Sequence, residues 1–350
     1  MIENLEYKDW SRKFHAEHAR EPIVMQIELT YRCPLHCVHC YSDCYNNQGY
    51  AGKELSTEKL KRLMDKLYEA KCLWLCFTGG DPMMRPDFIE LYDYARDKGF
   101  ILTIFTSLSA LTDRIFDKFV EKPPFSIEMT LNAAREKTFD NISQVKGLFN
   151  ETIANIKKIR NAKLPLKIKT MLTKNNTHET EQIRELIESF GCEFRPSATL
   201  FARLNGDTTP CRYRLPVSDL VNGDIKGEDS CTNPVNPTNS INRFFRCATG
   251  NWQWHIDPYG KLNICSCVRE PNYDLLDGDV EEGVNFLSQY VKSKKFTTES
   301  ACKTCGIWHL CQSCPGRAKL EVGDEEAPVP YFCELAKRRA RINTNSLQGS

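Results

Sequence analysis

The 350-residue chain is 41% hydrophobic and 27% charged, enough apolar material for one large domain with a smaller one beside it. Its 47 lysines and arginines nearly balance 46 aspartates and glutamates, so no bulk charge draws it to nucleic acid or to a membrane surface. The opening Met-Ile-Glu-Asn-Leu-Glu lacks the basic and apolar segments of a secretory signal, and no apolar run is long enough to span a bilayer. A cytoplasmic protein is expected, and in that reducing setting 17 cysteines are too many to read as disulfides; their clustered spacing favours metal ligation, while Cys72 and Cys76 read as core residues.

From residue 23 to about 200 one unit recurs six times: a short apolar run, a polar or glycine-containing loop, then an amphipathic helical stretch. The runs are Ile23 to Leu29, Leu73 to Phe77, Phe100 to Phe105, Phe125 to Leu131, Leu166 to Leu172 and Glu193 to Leu200. Alternating strands and helices of this kind predict parallel β/α architecture. Leu60, Leu63, Met64 and Leu67 form one helical face behind a cap at Ser56 or Thr57. A second face, Phe88, Leu91, Tyr92 and Ala95, stops at Gly99, and a third, Ile183, Leu186, Ile187 and Phe190, stops at Gly191. On the fourth strand Ser126, Glu128, Thr130 and Asn132 share a face, and on the fifth Lys167, Lys169 and Met171 do. These faces predict either a polar pocket at the sheet centre or a structural Glu128 to Lys169 ion pair.

Directly after the first strand stands Cys33-Pro-Leu-His-Cys37-Val-His-Cys40. Three thiols at this spacing can wrap one side of an iron–sulfur cluster, leaving one metal open, because a closed structural site normally takes four protein ligands. The alternative is a zinc knuckle completed by Cys44 or His39. The motif resembles CxxxCxxC of the radical S-adenosylmethionine (SAM) superfamily. That resemblance implies a partial (β/α)6 TIM-like barrel, which accounts for the count of six units. It also implies a [4Fe–4S] cluster on Cys33, Cys37 and Cys40 that binds and reductively cleaves SAM to a 5′-deoxyadenosyl radical. Thr78-Gly79-Gly80-Asp81, ending the second strand, is similar to the family's GGE motif for the SAM amino group, with aspartate in place of glutamate. Thr106 and Ser107, and Thr130 and Asn132, occupy positions that in the family contact the SAM carboxylate and ribose. His39 fills the aromatic slot near the adenine, and Lys146 or Lys169 stands in for the family's carboxylate-gripping arginine.

Glycines and prolines punctuate residues 201 to 243, which read as a linker or lid, and the region from 244 to 335 then holds eight of the 17 cysteines. Cys247, Cys265, the run Cys302-x2-Cys305-x5-Cys311-x2-Cys314, and Cys333 resemble the SPASM extension of radical SAM enzymes, departing by one residue between Cys311 and Cys314. The resemblance implies two auxiliary clusters of the [4Fe–4S] type. Cys247, Cys265 and Cys314 hold the first, with Cys267, Cys231 or an open site as the fourth ligand, and Cys302, Cys305, Cys311 and Cys333 hold the second. A zinc ribbon is the alternative reading of the two CxxC pairs. The implied organisation is an N-terminal extension over 1–22, the barrel over 23–205, a linker over 206–243, the auxiliary-cluster domain over 244–335 and a tail over 336–350.

In this family the expected substrate is a ribosomally made peptide or protein that gains a cross-link, a thioether or an oxidised side chain. The short segment before the first strand leaves no room for a fused leader-binding domain, so a separate leader-binding protein or direct docking is expected. A flavodoxin- or ferredoxin-type protein would supply electrons. Ser266, where sulfatase maturases carry an aspartate, argues against that activity. The alternatives are a small-molecule substrate such as a tetrapyrrole, peptide epimerisation with Cys211 or Cys231 as hydrogen donor, and, outside catalysis, a zinc-binding interaction protein.

Overall fold

Strands and helices alternate from Val24 to Ser197 because each strand carries one apolar face that an amphipathic helix covers. The computed structural model describes residues 21–222, 244–246 and 253–348. In chain order the elements are β1 (Val24–Thr30), α1 (Thr57–Glu69), β2 (Trp74–Gly79), α2 (Phe88–Asp97), β3 (Ile101–Thr106), α3 (Asp113–Glu121) and β4 (Ser126–Thr130). Then come α4 (Glu136–Ser143), α5 (Phe149–Asn161), β5 (Leu166–Met171), α6 (Thr180–Ser189), β6 (Arg195–Ser197) and α7 (Val217–Asn222). Ser56 is the cap of α1, its side chain accepting from the Lys59 N–H, and Gly99 and Gly191 follow α2 and α6 with φ of +91° and +67°.

The first six strands are parallel and lie in the order β6-β5-β4-β3-β2-β1, the partial barrel expected from six βα units. β6 is only three residues long, and Pro196 within it suits an edge strand, where a missing N–H costs least. Met25, Ile27 and Leu29, Leu75 and Phe77, Leu102 and Ile104, Ile127 and Met129, and Ile168 join the helices' apolar faces in one core cluster. By the two-residue period of a strand, the opposite face carries Gln26, Glu28 and Thr30, then Cys76 and Thr78, Thr103 and Phe105, Glu128 and Thr130, and Lys167 and Lys169. The barrel interior is therefore polar, as the fourth and fifth strands predicted. Both readings of that face meet there: Lys169 pairs with Glu128 at 2.6 Å and Lys167 with the same carboxylate at 3.4 Å.

The C-terminal part does not form its own sheet. β7 (Gln253–Ile256) pairs parallel with β1, and β8 (Lys261–Cys265) and β9 (Val268–Asp274) extend it antiparallel, giving one nine-stranded sheet ending β1-β7-β8-β9. After these strands come α8 (Val280–Ser293), α9 (Pro315–Val322) and α10 (Pro330–Gln348). Helix α10 carries Cys333 and runs on through the segment read from sequence as a tail. Leu215, Val217 and Leu220, from the segment read as a linker, pack with Leu172, Ala198 and Leu335. Residues 223–243 of that segment lie outside the described residues. No helix among the described residues is long and apolar enough to cross a membrane.

Candidate functional site

The loop that follows β1 is pinned at both ends before any ligand is considered. Glu54, its side chain 3% exposed, accepts from Thr30 Oγ1 at 2.8 Å and from the Tyr31 N–H at 2.8 Å, which fixes the strand end. Asn46 accepts from the Cys33 N–H at 3.1 Å and donates to the carbonyls of Cys33 and Leu35. The His36 and Val38 N–H groups donate to Ser143 O and Ile142 O at the end of α4, at 2.8 and 2.9 Å. Leu35 packs with Ala133 and Phe139, and Cys33 and Cys37 lie against that cluster. Burial pushes the Cys33, Cys37 and Cys40 thiols up from their ordinary pKa, and Cys37 and Cys40 raise Cys33 further by their own charge. The three thiols of the motif thus share one small region. Only a bound cation would make all three good thiolates there.

The end of β2 meets this loop backbone to backbone. The Gly80 N–H donates to Thr30 O and the Asp81 N–H to Arg32 O, both at 2.8 Å. A Cβ on Gly79, which has φ +136°, would stand 2.1 Å from Thr30 O, and one on Gly80 would stand 2.4 Å from Arg32 O. Both glycines are required by the approach of two protein backbones. Alanine at Gly80 is expected to destabilise the chain by about 1–3 kcal/mol through overpacking, read as a lower urea midpoint together with lost iron. An unchanged midpoint would mean that the loop moves aside freely.

Asp81 is fully buried, and its carboxylate is already engaged. Oδ1 accepts from the Met83 N–H at 3.1 Å, and Oδ2 accepts from Thr106 Oγ1, the Ser107 N–H and Ser107 Oγ at 2.9, 2.9 and 2.7 Å. Burial raises its pKa, and these donors oppose that shift. Asp81, Thr106 and Ser107, read from sequence as separate SAM contacts, form one knot tying β2 to β3. Thr78 lies one step inward, opposite Glu28 in the β1–β2 register.

His39 and Asn132 also come together, with Asn132 Nδ2 3.4 Å from His39 Nε2. Asn132 is held from behind: its Oδ1 accepts from the Met171 N–H and its carbonyl from Asn176 Nδ2, each at 2.8 Å. Burial lowers the His39 pKa to about 4, so the ring is neutral, and its Nδ1 is buried with no partner. An orphaned polar atom beside the cysteine loop fits a bound group at this place. Thr130 is exposed within the interior, and the Lys169 ammonium lies 4.6 Å from the centre of the Phe105 ring besides pairing with Glu128. Lys146 is exposed.

The same period of two along β1, legible in Gln26, Glu28 and Thr30 but missed in the sequence reading, puts a second charged group in the interior. Glu28, fully buried, takes a bidentate contact from Arg269 on β9, with N···O distances of 3.1 Å, and His255 on β7 lies 3.4 Å away. Burial opposes its ionisation, yet Arg269 and His255 hold Glu28 down to about 2. Asn46 and Glu54 left no signal in the sequence, because their roles arise from loop contacts.

The C-terminal cysteines fall into two neighbourhoods. Cys302, Cys305, Cys311 and Cys333 act on one another electrostatically, although Cys333 comes from α10. The Cys265 and Cys267 thiols interact with each other, and Gly316, two residues after Cys314, lies against the Cys267 backbone. Cys314 caps α9, accepting from the Arg317 N–H. Cys40 and Cys267 both act electrostatically on the buried Tyr41, so this group and the N-terminal loop share a neighbour. Cys231 and Cys247 lie outside the described residues. Among the described residues no three His, Cys, Asp or Glu side chains are arranged to hold a single metal ion. A four-iron cluster binds each thiolate through a different iron, and an all-thiolate donor set suits it.

Known proteins resemble the chain most clearly over the region that carries this site. The model of the radical SAM superfamily matches residues 27–187. The chain carries a radical SAM domain. A [4Fe–4S] cluster and SAM follow as the cofactors of that domain. Over 170 residues the chain is 30% identical to the AdoMet-dependent heme synthase of Methanosarcina barkeri, an alignment covering 49% of this chain and 48% of that protein. It therefore spans about half the length of that curated relative. It is 26% identical over 329 residues to the mycofactocin maturase MftC of Mycobacterium tuberculosis, covering 86% of this chain and 80% of that one. The fold matches that of SuiB from Streptococcus suis, solved bound to the precursor peptide SuiA. The TM-score is 0.69 at 14% identity, over 95% of this chain and 84% of that one.

Proposed function

We propose that this chain is a radical SAM enzyme that modifies a ribosomally made peptide or protein. The observation that carries the reading is the loop bearing Cys33, Cys37 and Cys40, fixed at the mouth of a polar barrel where the ends of β1 to β4 converge. Cys33, Cys37 and Cys40 hold the [4Fe–4S] cluster that binds SAM. When bound, the cluster supplies the electron that splits SAM into methionine and a 5′-deoxyadenosyl radical able to abstract hydrogen. Gly79 and Gly80 bring the β2 backbone against the loop, and the Asp81 knot with Thr106 and Ser107 fixes the wall on which the SAM methionine part rests. His39 and Asn132 face the nucleoside side, Nδ1 of His39 offering the unspent polar contact. The barrel wall keeps water and oxygen from the reacting atoms.

Cys265, Cys267, Cys314 and Cys247 hold a first auxiliary cluster, and Cys302, Cys305, Cys311 and Cys333 a second. Peptide modification is supported by the likeness to MftC, which runs through most of both chains, whereas the heme synthase alignment covers only about half of each. A cytoplasmic flavodoxin- or ferredoxin-type donor supplies the electrons, and the peptide arrives either on a separate leader-binding protein or by docking directly. The test is anaerobic incubation with SAM, dithionite and a short precursor peptide encoded beside the gene. Reductant-dependent 5′-deoxyadenosine and a mass change in the peptide are expected. A colourless zinc protein that leaves SAM intact would overturn the reading in favour of a binding module.

A further inference from the structure

Arg246 reaches the second cysteine neighbourhood from a segment more than fifty residues upstream of it. Its Nη2 donates to Cys302 O at 2.5 Å and to Lys303 O at 3.5 Å. The guanidinium carbon lies 5.3 Å from the centre of the Trp308 ring and 5.8 Å from that of Phe296. Cys302, Cys305 and Cys311 all act on this cation electrostatically. A planar cation laid against aromatic rings while its N–H fork ties down a ligand's backbone is a task for arginine, since lysine offers only a point charge.

A [4Fe–4S] cluster on four thiolates is anionic and gains one further negative charge on reduction. A fixed cation beside it, partly shielded from water by two aromatic rings, stabilises the reduced form more than the oxidised one. Net charge and hydrogen bonding around a cluster are the means by which a protein sets its potential. We infer that Arg246 is a positioning residue for the cluster on Cys302, Cys305, Cys311 and Cys333, raising its reduction potential and fixing the Cys302 backbone. This rests on the auxiliary-cluster assignment proposed above.

The experiment is an EPR-monitored potentiometric titration of the anaerobically reconstituted full chain, with iron counted in each sample. The signal of the second auxiliary cluster is identified as the one lost in a Cys302→Ala/Cys305→Ala variant. Arg246→Gln is expected to keep its iron and lower the midpoint of that signal alone by a tenfold change in the reduced-to-oxidised ratio, about 59 mV for one electron. Arg246→Lys should fall between the two. An unshifted midpoint in a fully loaded Arg246→Gln chain overturns the inference, as does an equal shift in the glutamine and lysine variants. If Arg246→Gln loses the cluster, the lysine variant decides: a loaded cluster near the parent midpoint supports the role of the charge, and loss of that cluster too refutes it. If the parent has no signal sensitive to Cys302 and Cys305, the cluster assignment itself fails and takes the inference with it.

Discussion

Replacing Cys33, Cys37 and Cys40 together by alanine is expected to lower the iron of the anaerobically reconstituted chain from about 12 to about 8 atoms and to abolish reductant-dependent 5′-deoxyadenosine. The expectation rests on what holds the loop and what does not. Its backbone is fixed by Asn46, by the carbonyls of Ile142 and Ser143, and by Leu35 against Phe139, none of which needs a thiol. The variant should therefore keep its helical circular dichroism while losing one cluster and the chemistry that depends on it. The two C-terminal cysteine groups are carried by other elements and should stay loaded. Retained SAM cleavage would show that other residues hold the reactive cluster. Loss of all iron would show that the three centres assemble as one unit.

Arg269→Met should be the most damaging single substitution for stability, costing about 3–5 kcal/mol, because it strands a buried carboxylate without its countercharge. Glu28 has no exposed surface, and the bidentate Arg269 contact joins β1 to β9 across 241 residues. The double variant Glu28→Gln/Arg269→Met should recover much of the loss, since it removes both charges together. The pH dependence carries a definite sign. Glu28 is held at about 2 against an ordinary 4.5. Its contribution is therefore complete above pH 4.5 and is lost as the pH falls towards 2, by about 3 kcal/mol in all. Urea midpoints of the parent should drop across that window, and in Arg269→Met that part of the drop should vanish. An Arg269→Met chain as stable as the parent at pH 7 would mean that water enters and solvates Glu28.

Much of the barrel was legible because its signals are local. A period of two in the strands, a period near 3.6 in the helices, Ser56 at a helix start and Gly99 and Gly191 past helix ends depend only on neighbouring residues. The polar faces of β4 and β5 were readable for the same reason, and so was the cysteine spacing. The Glu28 cluster was half legible: the polar alternation of Gln26, Glu28 and Thr30 marks an interior face, but nothing near Glu28 in sequence names Arg269 or His255 as its partners.

By itself, then, the sequence determined the alternating elements, the three-thiol loop and the cysteine-rich C-terminal part, since each is written in spacing or periodicity. Tertiary structure alone decided that β7 joins the open edge of β1, so that the barrel and the cysteine-rich part share one sheet. It also decided that the glycines after β2 make room for the Thr30 to Arg32 backbone, and that Asp81 gives four acceptor contacts to Met83, Thr106 and Ser107. The physical reason is common to all three. Which strand edge is left unpaired, which backbone passes within van der Waals distance and which donors surround a buried carboxylate depend on segments distant in sequence, and no local period encodes the place where those segments meet.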